Sequence, residues 1–141
     1  MGTISEDFSY REFEASETAG CQGIMNVITT VQVRDSIKAL VDEVLQPLRT
    51  AWGKPLVINS GYRCPELNRA VGGVPDSQHV KGEAADVACS DPYALARLAC
   101  DLNLPYDQMI LYPTFVHFSH RLTGEQRRQI LYNRTYQGKR V

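Results

Sequence analysis

Two of the three histidines in the chain lie in sequence settings suited to metal binding. His79 ends a polar stretch that leads into the apolar run 84–89, and His117 lies within the strand-like sequence Phe-Val-His-Phe-Ser at 115–119. Asp86 interrupts the apolar run, where an ionised carboxylate is costly unless it is paired or bound to metal. Two imidazoles and one carboxylate form a three-ligand set that leaves a fourth position for water, as in catalytic zinc sites. These three side chains are therefore a candidate ligand set for one zinc ion, although a single histidine or aspartate in a strand is more often a hydrogen-bonded or ion-paired core residue.

The spacing of these residues resembles that of the M15 zinc peptidases. The run S-x-H-x-x-G-x-A-x-D at 77–86 is followed, about thirty residues later, by V-H-x-S at 116–119. The similarity continues in Ser-Gly-Tyr-Arg-Cys-Pro at 60–65 and in Tyr-Asp-Gln at 106–108. That family includes D-Ala-D-Ala carboxypeptidases and phage endolysins that cut peptidoglycan stem peptides. The resemblance covers about residues 8–120 and implies a short, single-domain member with the hedgehog/D-Ala-D-Ala-peptidase type of fold.

The resemblance also implies roles for individual residues. It assigns His79, Asp86 and His117 as the zinc ligands. It makes Arg63 the arginine that holds the substrate's terminal carboxylate or a nearby carbonyl, which suits a planar guanidinium better than an ammonium group. Without its motif, Arg63 would be read as a loop arginine in a surface ion pair. The resemblance places two further substrate-binding positions just before the first ligand, Ser77 and Gln78.

The implied chemistry is metal-assisted amide hydrolysis, in which a carboxylate takes a proton from water and passes it to the leaving amine. Active relatives usually carry this acid a few residues before the third ligand, but positions 111–116 read Leu-Tyr-Pro-Thr-Phe-Val. Tyr112 is one substitute, as a hydrogen-bond donor, although a phenol with a pKa near 10 is a poor base. Glu83 is another, unless strand alternation turns it away. His120 has the opposite strand parity to the third ligand, and Asp107 is expected to be structural.

Two functions follow from these residues. The first is a zinc peptidase that hydrolyses D-Ala-containing bonds of peptidoglycan, as a D,D-carboxypeptidase or as an endopeptidase of the endolysin type. The second is a catalytically inactive, zinc-stabilised cell-wall-binding or structural protein of the same fold, for which the hedgehog signalling domain is a precedent. The missing acid favours the second function, whereas Arg63 beside a three-ligand set favours the first, which we take as the prediction.

The elements that must position these residues can be read from periodicity and turn residues. Apolar residues recur at helical spacing over 31–50, and Pro47 is predicted to interrupt that helix near residue 46. A long loop is predicted over 61–82 with one helical turn at 65–70, and a helix begins at Ser90-Asp91-Pro92. The strands predicted by short β-branched or apolar runs are 56–58, 84–89, 108–112, 115–119 and 130–132. This order favours an α+β fold, a small antiparallel sheet flanked by helices.

Length and composition limit the remaining possibilities. The 141 residues, with 43% hydrophobic and 22% charged residues, predict a single globular domain over 1–141. The net charge of −1 argues against nucleic acid as a partner, and no protein partner is evident. The last 21 residues hold six basic residues and one acid, and we interpret them as a solvated basic tail or an edge strand, with contact to an anionic polymer as the alternative.

Targeting signals and cysteines give further expectations. No run approaches the roughly 18 apolar residues of a membrane span. The first thirty residues lack the basic start and apolar core of a signal peptide. We therefore expect synthesis in the cytoplasm and action at the cell wall after release or export. The cysteines are expected to be mostly small buried residues, with a Cys64–Cys89 bridge as a less favoured alternative; the four are Cys21, Cys64, Cys89 and Cys100.

Overall fold

A five-stranded sheet forms the centre of the computed structural model, which describes residues 2–141. The strands are β1 (Val57–Ser60), β2 (Ala84–Ala88), β3 (Gln108–Leu111), β4 (Phe115–Ser119) and β5 (Gln129–Tyr132). Their order in the sheet is β1-β2-β4-β3-β5. The predicted α+β class is confirmed.

The sheet is antiparallel except at its last pair, where β5 runs parallel to β3. The expected small antiparallel sheet is therefore confirmed except for this parallel edge pair. Because β3 and β4 form a hairpin, β4 ends beside the beginning of β3. The connection 120–128 passes around that end, and a strand added to the far side of β3 from there must run in the direction of β3. The C-terminal segment thus forms an edge strand.

Helices flank the sheet. They are α1 (Tyr10–Glu14), α2 (Glu17–Gln22), α3 (Val31–Leu40), α4 (Gln46–Trp52), α5 (Pro65–Ala70) and α6 (Pro92–Asp101). The face that α5 and the loop 61–82 approach through Asn68 and Arg63 is called the open face. Along β4, Val116 and Phe118 are fully buried in the core, whereas His117 between them is only half-buried. Asp86 alternates in the same way with its buried neighbours in β2. Alternation of side chains along each strand therefore places Asp86 and His117, two of the three predicted ligands, on the open face.

A turn of π-helix at Val41–Leu45 joins α3 to α4 immediately before Pro47. Proline has no N–H to donate to the carbonyl four residues earlier, and its ring crowds that carbonyl. The helix therefore continues past this point with the wider hydrogen-bond spacing of a π-helix, instead of ending. Consequently the predicted interruption leaves Val44, Leu45 and Leu48 fully buried against the sheet.

The cysteines differ from the expectation of mostly buried residues. Cys21 is exposed on the short surface helix α2, and the other three are half-buried at the margin of the core. All four are free thiols, so the Cys64–Cys89 bridge is not formed. None of the helices in residues 2–141 combines the length and the apolarity that a membrane crossing requires.

Asp107, at the start of β3, is a fully buried carboxylate that holds the C-terminal segment. It accepts hydrogen bonds from the backbone N–H of Arg127 at 2.7 Å and from Arg127 Nη2 at 2.6 Å, and Arg121 Nε lies 3.4 Å away. Burial raises the pKa of this carboxyl, but the side-chain and backbone hydrogen bonds of Arg127 outweigh burial and bring it to about 2. Asp107 is therefore structural, as expected.

Replacing Arg127 by glutamine is expected to lower the free energy of unfolding by about 2–4 kcal/mol at pH 7, since it leaves a buried carboxylate with much weaker compensation. The folded-state pKa of Asp107 lies below its ordinary value of 3.8, so its contribution is present above about pH 4 and is lost as the pH falls toward about 2. Urea denaturation without added metal at pH 7, 4 and 2.5 should show the wild-type advantage shrinking over this window. Arg134→Gln, an exposed charge removal in the same segment, is the control; equal losses in both variants would contradict the role of the pair.

Candidate metal centre

His79, Asp86 and His117 bring three possible ligand atoms together on the open face of the sheet. One ligand atom from each residue lies within 4.8 Å of the other two. Asp86 and His117 are direct cross-strand partners in β2 and β4, with Asp86 Oδ1 2.9 Å from His117 Nδ1. His79, from the loop before β2, places its Nε2 3.4 Å from the same oxygen. The structure therefore assembles the three residues whose spacing predicted a metal site.

The chemistry of this donor set fits a tetrahedral ion. His79 is 3% exposed, and its Nδ1 lies 2.7 Å from the carbonyl oxygen of Gly61. That hydrogen bond requires the proton on Nδ1, so the lone pair of Nε2 faces the other two ligands. Two ligands of a tetrahedral zinc ion, each at about 2.0–2.1 Å, are about 3.3 Å apart. The separations of 2.9 and 3.4 Å around Asp86 are close to this value.

The electrostatics of Asp86 suit a ligand that stays ionised. Burial of its carboxyl raises the pKa, but the hydrogen bonds and charges of His117 and His79 outweigh burial and hold the pKa well below its usual range. A bound cation acts on a carboxylate in the same direction as these imidazoles.

Arg63 is held beside the centre with part of its guanidinium directed toward Asp86. Its Nε donates to Ser60 Oγ at 3.1 Å and its Nη1 donates to Asn68 Oδ1 at 3.0 Å. The third nitrogen, Nη2, lies 3.9 Å from Asp86 Oδ2. Burial lowers the pKa of this arginine and the charge of Asp86 raises it. The surface ion pair considered as an alternative for Arg63 is not what the structure contains, because the side chain is mostly buried.

Ser77 and Gln78, the two predicted substrate-binding positions, line a groove that reaches His117. Ser77 Oγ also accepts from the backbone N–H of His79 at 3.2 Å. Gln78 Nε2 donates to Asp107 Oδ2 at 3.1 Å. Both side chains therefore restrain the loop that carries the first ligand.

Tyr112 lies beside the centre at the end of β3. Its ring stacks on that of Phe115 at a centroid distance of 4.1 Å. Burial and the charge of Asp86 raise the pKa of the phenol, while Arg63 lowers it, and the net direction is upward. At neutral pH Tyr112 is therefore protonated and is a hydrogen-bond donor rather than a base.

Glu83 lines the same groove as His117, although it lies one residue before β2. Its Oε1 accepts from Gln78 Nε2 at 3.3 Å, and its Oε2 accepts from the backbone N–H of Leu122 at 3.1 Å. Strand alternation has not removed Glu83 from the neighbourhood of the third ligand. Both of its oxygens are, however, already hydrogen-bonded.

His120 does not join the site. It is buried beyond the end of β4, and within residues 2–141 its Nδ1 has no hydrogen-bond partner. Burial lowers its pKa, and the charges of Glu43, Glu83 and Asp107 act in the opposite direction. The opposite parity of His120 relative to the third ligand accounts for this placement.

Comparison with known proteins relates the chain to a protein family. The model of the family described as Peptidase M15 matches residues 6–120, which include the three candidate ligands and Arg63. The chain belongs to the peptidase M15 family. A 44-residue segment, 30% of this M15 chain, is 46% identical to the zinc D-Ala-D-Ala carboxypeptidase of Streptomyces albus G, of which the segment covers 17%. The predicted resemblance is therefore confirmed, and residues 121–141 of the M15 chain lie beyond the matched region.

Several supporting groups of this M15 centre were not predicted from the sequence. Asn68 is buried, donates to the carbonyl of Val74 at 2.7 Å and accepts from Arg63. Gly61 orients His79 through its backbone carbonyl, so no side chain in the sequence indicates this contact. The two asparagine contacts depend on the loop conformation, which residue types alone do not specify.

We expect the purified M15 protein to bind one zinc ion, and Asp86→Ala to weaken binding by more than about 100-fold, because loss of a supporting group alone costs about 10- to 100-fold. Isothermal titration after dialysis against a chelator measures both affinities. His120→Gln, which changes the histidine outside the site, is the matched control and should bind like the wild type. Tight one-to-one binding by Asp86→Ala would refute the assignment.

Gly73→Ala tests the packing around Arg63. A Cβ at residue 73 would lie 2.9 Å from Arg63 Nη1 and would also collide with the buried amide of Asn68, whose hydrogen bonds hold it in place. The variant is expected to lose about 1–3 kcal/mol of stability, the usual cost of overpacking, while still binding zinc. Gly20→Ala, in helix α2 with no atom within 4 Å of its new Cβ, is the control and should be unchanged or slightly stabilised. Thermal unfolding and zinc titration of both variants check the prediction.

Proposed function

We propose that this protein is a zinc-dependent peptidase that hydrolyses D-Ala-containing peptide bonds of peptidoglycan stem peptides. The observation that carries the proposal is the guanidinium of Arg63, held 3.9 Å from a ligand of the candidate metal centre. A carboxylate bound there would place the neighbouring amide next to the three ligands. The name of the Streptomyces relative supports the D-Ala specificity, and the site of action would be the cell wall, after release or export.

Arg63 would bind and orient the substrate. Two of its nitrogens are occupied by Ser60 and Asn68, which fixes the plane of the guanidinium before substrate arrives. The remaining Nη2 is available for a charge-assisted hydrogen bond to the terminal carboxylate. Such preorganisation aligns the scissile bond without a further entropic cost at the moment of reaction.

Zinc, when bound, would lower the pKa of water to about 7 and polarise the scissile carbonyl. In the net reaction, water oxygen bonds to the carbonyl carbon, the C–N bond breaks, and a proton goes to the leaving amine.

Tyr112, protonated at neutral pH, would donate a hydrogen bond to the oxygen on which negative charge develops. Glu83 would carry the proton, and its position in the lining of the groove that reaches His117 supports this role. It would have to exchange a hydrogen bond from Gln78 for one from water.

A second function is favoured by one specific observation. Positions 111–116 contain no carboxylate, and Glu83 is held by two donors. A protein with this site and no working base would bind the stem peptide through Arg63 without cleaving it. This is the zinc-stabilised wall-binding alternative.

The deciding experiment incubates zinc-loaded protein with muropeptides that end in D-Ala-D-Ala and with a cross-linked dimer, followed by mass spectrometry. Loss of one alanine would identify a carboxypeptidase, and splitting of the dimer would identify an endopeptidase of the endolysin type. Arg63→Lys is expected to reduce kcat/KM by about 10- to 100-fold with zinc binding intact, since a hydrogen bond to a charged group contributes about 1.5–3 kcal/mol. Arg69→Lys, an exposed arginine on α5, is the matched control.

Absence of any product from protein that holds one zinc ion would reject the peptidase. The same samples are then tested for sedimentation with insoluble peptidoglycan. Sedimentation that Arg63→Lys weakens would support the wall-binding alternative, whereas no association would reject both functions.

A further inference from the structure

A groove of about 550 Å³ opens beside His117, within the roughly 300–1,000 Å³ range of small-ligand sites. Two of its lining residues, Arg121 and Arg127, come from the segment beyond the family match. Neither Arg63 nor Asp86 lines it. The groove therefore reaches the candidate metal centre through a different ligand from the one that Arg63 contacts.

The two arginines converge on a single carboxylate. Arg127 uses Nε and Nη2 on Asp107, at 3.1 and 2.6 Å. Arg121 approaches Asp107 only through Nε, at 3.4 Å, and its Nη1 lies 3.5 Å from the carbonyl of Glu125. Its side chain is 38% exposed. One buried carboxylate thus faces two guanidiniums, and Arg121 keeps donors for a second anion.

Apart from Asp107, no charged group in residues 2–141 lies within 4.0 Å of the Arg121 guanidinium as an ion-pair partner. Glu83 lines the groove, but its two oxygens accept from Gln78 and from the backbone of Leu122. Asp76 and Lys81 are both exposed at the margin and carry opposite charges. With Asp107 included, the groove has three cationic and three anionic side chains, so its ability to bind an anion depends on the free donors of Arg121 and not on net charge.

We infer that this groove binds a second carboxylate of the substrate, on the acyl side of the scissile bond, and that Arg121 is the residue that selects for it. The inference rests on the proposed function, in which Arg63 holds the terminal carboxylate. A peptide bound across the centre would then contact Arg63 near Asp86 and Arg121 in the groove that His117 lines. The substrate class is a stem peptide with a free acidic group before the scissile bond, in preference to the same peptide with that group amidated.

The test compares two synthetic pentapeptides, L-Ala-γ-D-Glu-L-Lys-D-Ala-D-Ala and its analogue in which the free carboxylate of the glutamyl residue is a carboxamide. Zinc-loaded wild type is expected to hydrolyse the carboxylate peptide with a kcat/KM about 10-fold higher, mainly through KM, because one charge-assisted hydrogen bond contributes about 1.5–3 kcal/mol. Arg121→Gln should bring the ratio of the two kcat/KM values to about one. Arg134→Gln removes one exposed charge outside the groove and should keep the preference. The preference should also decrease as salt is raised.

The inference is overturned if wild type treats the two peptides alike or if Arg121→Gln keeps the preference. Equilibrium binding of both peptides to zinc-loaded protein is measured in parallel. If neither peptide is hydrolysed, the proposed peptidase function fails, yet a 10-fold difference in affinity that Arg121→Gln abolishes would still support the groove. Equal affinities would reject it. Arg127 is left intact throughout, because its pairing with buried Asp107 supports the fold.

Discussion

The candidate site depends on the register between β2 and β4. Asp86 lies directly opposite His117 only because Ala85 pairs with Phe118 and Val87 pairs with Val116 on the buried face. A slip of one residue would turn an apolar side chain outward and a polar ligand into the core. Burial of large apolar side chains contributes about 1.5–3 kcal/mol each, so the hydrophobic effect sets the register and the ligands follow from it. The close contact of Asp86 with His117 is thus a consequence of core packing on the other side of the sheet.

His79 and Arg63 come from the loop 61–82, which is ordered by its own hydrogen bonds. The N–H of Arg63 donates to the carbonyl of His79 at 3.1 Å, and the imidazole of His79 is paired with the carbonyl of Gly61. Asn68 adds contacts to Arg63 and to the backbone at Val74. The first candidate ligand and Arg63 are therefore parts of one hydrogen-bonded unit. Disturbing either residue would shift the other, which is why a substitution as small as a methyl group at residue 73 affects this region.

Local sequence signals predicted the five strands and helices α3 to α6, because these elements depend on neighbours in the chain. Asp91 accepts from the backbone N–H of Ala94 at 3.1 Å, as the Ser-Asp-Pro sequence indicates, and Pro47 produces the expected interruption. Helices α1 and α2 were not predicted, and the other features that were missed depend on distant partners. The parallel pairing of β5 and the convergence of Arg121 and Arg127 on Asp107 join residues up to 21 positions apart. Neither feature has a local signal, so a basic segment with no obvious periodicity was read as a tail or an edge.

Burying the charge of Arg63 costs the fold stability, and this cost helps to distinguish a structural metal site from one that binds a ligand. Structural zinc sites are usually closed and rich in sulfur, whereas this donor set is nitrogen and oxygen, and none of the four cysteines joins it in residues 2–141. Burial lowers the pKa of Arg63, which means that desolvation of its charge opposes folding. Asp86 lies 3.9 Å from its nearest nitrogen, too far for a strong hydrogen bond that would offset this cost. A site selected only for stability would be better served by an apolar residue at this position, whereas an incoming carboxylate would complete the unpaired edge of the guanidinium.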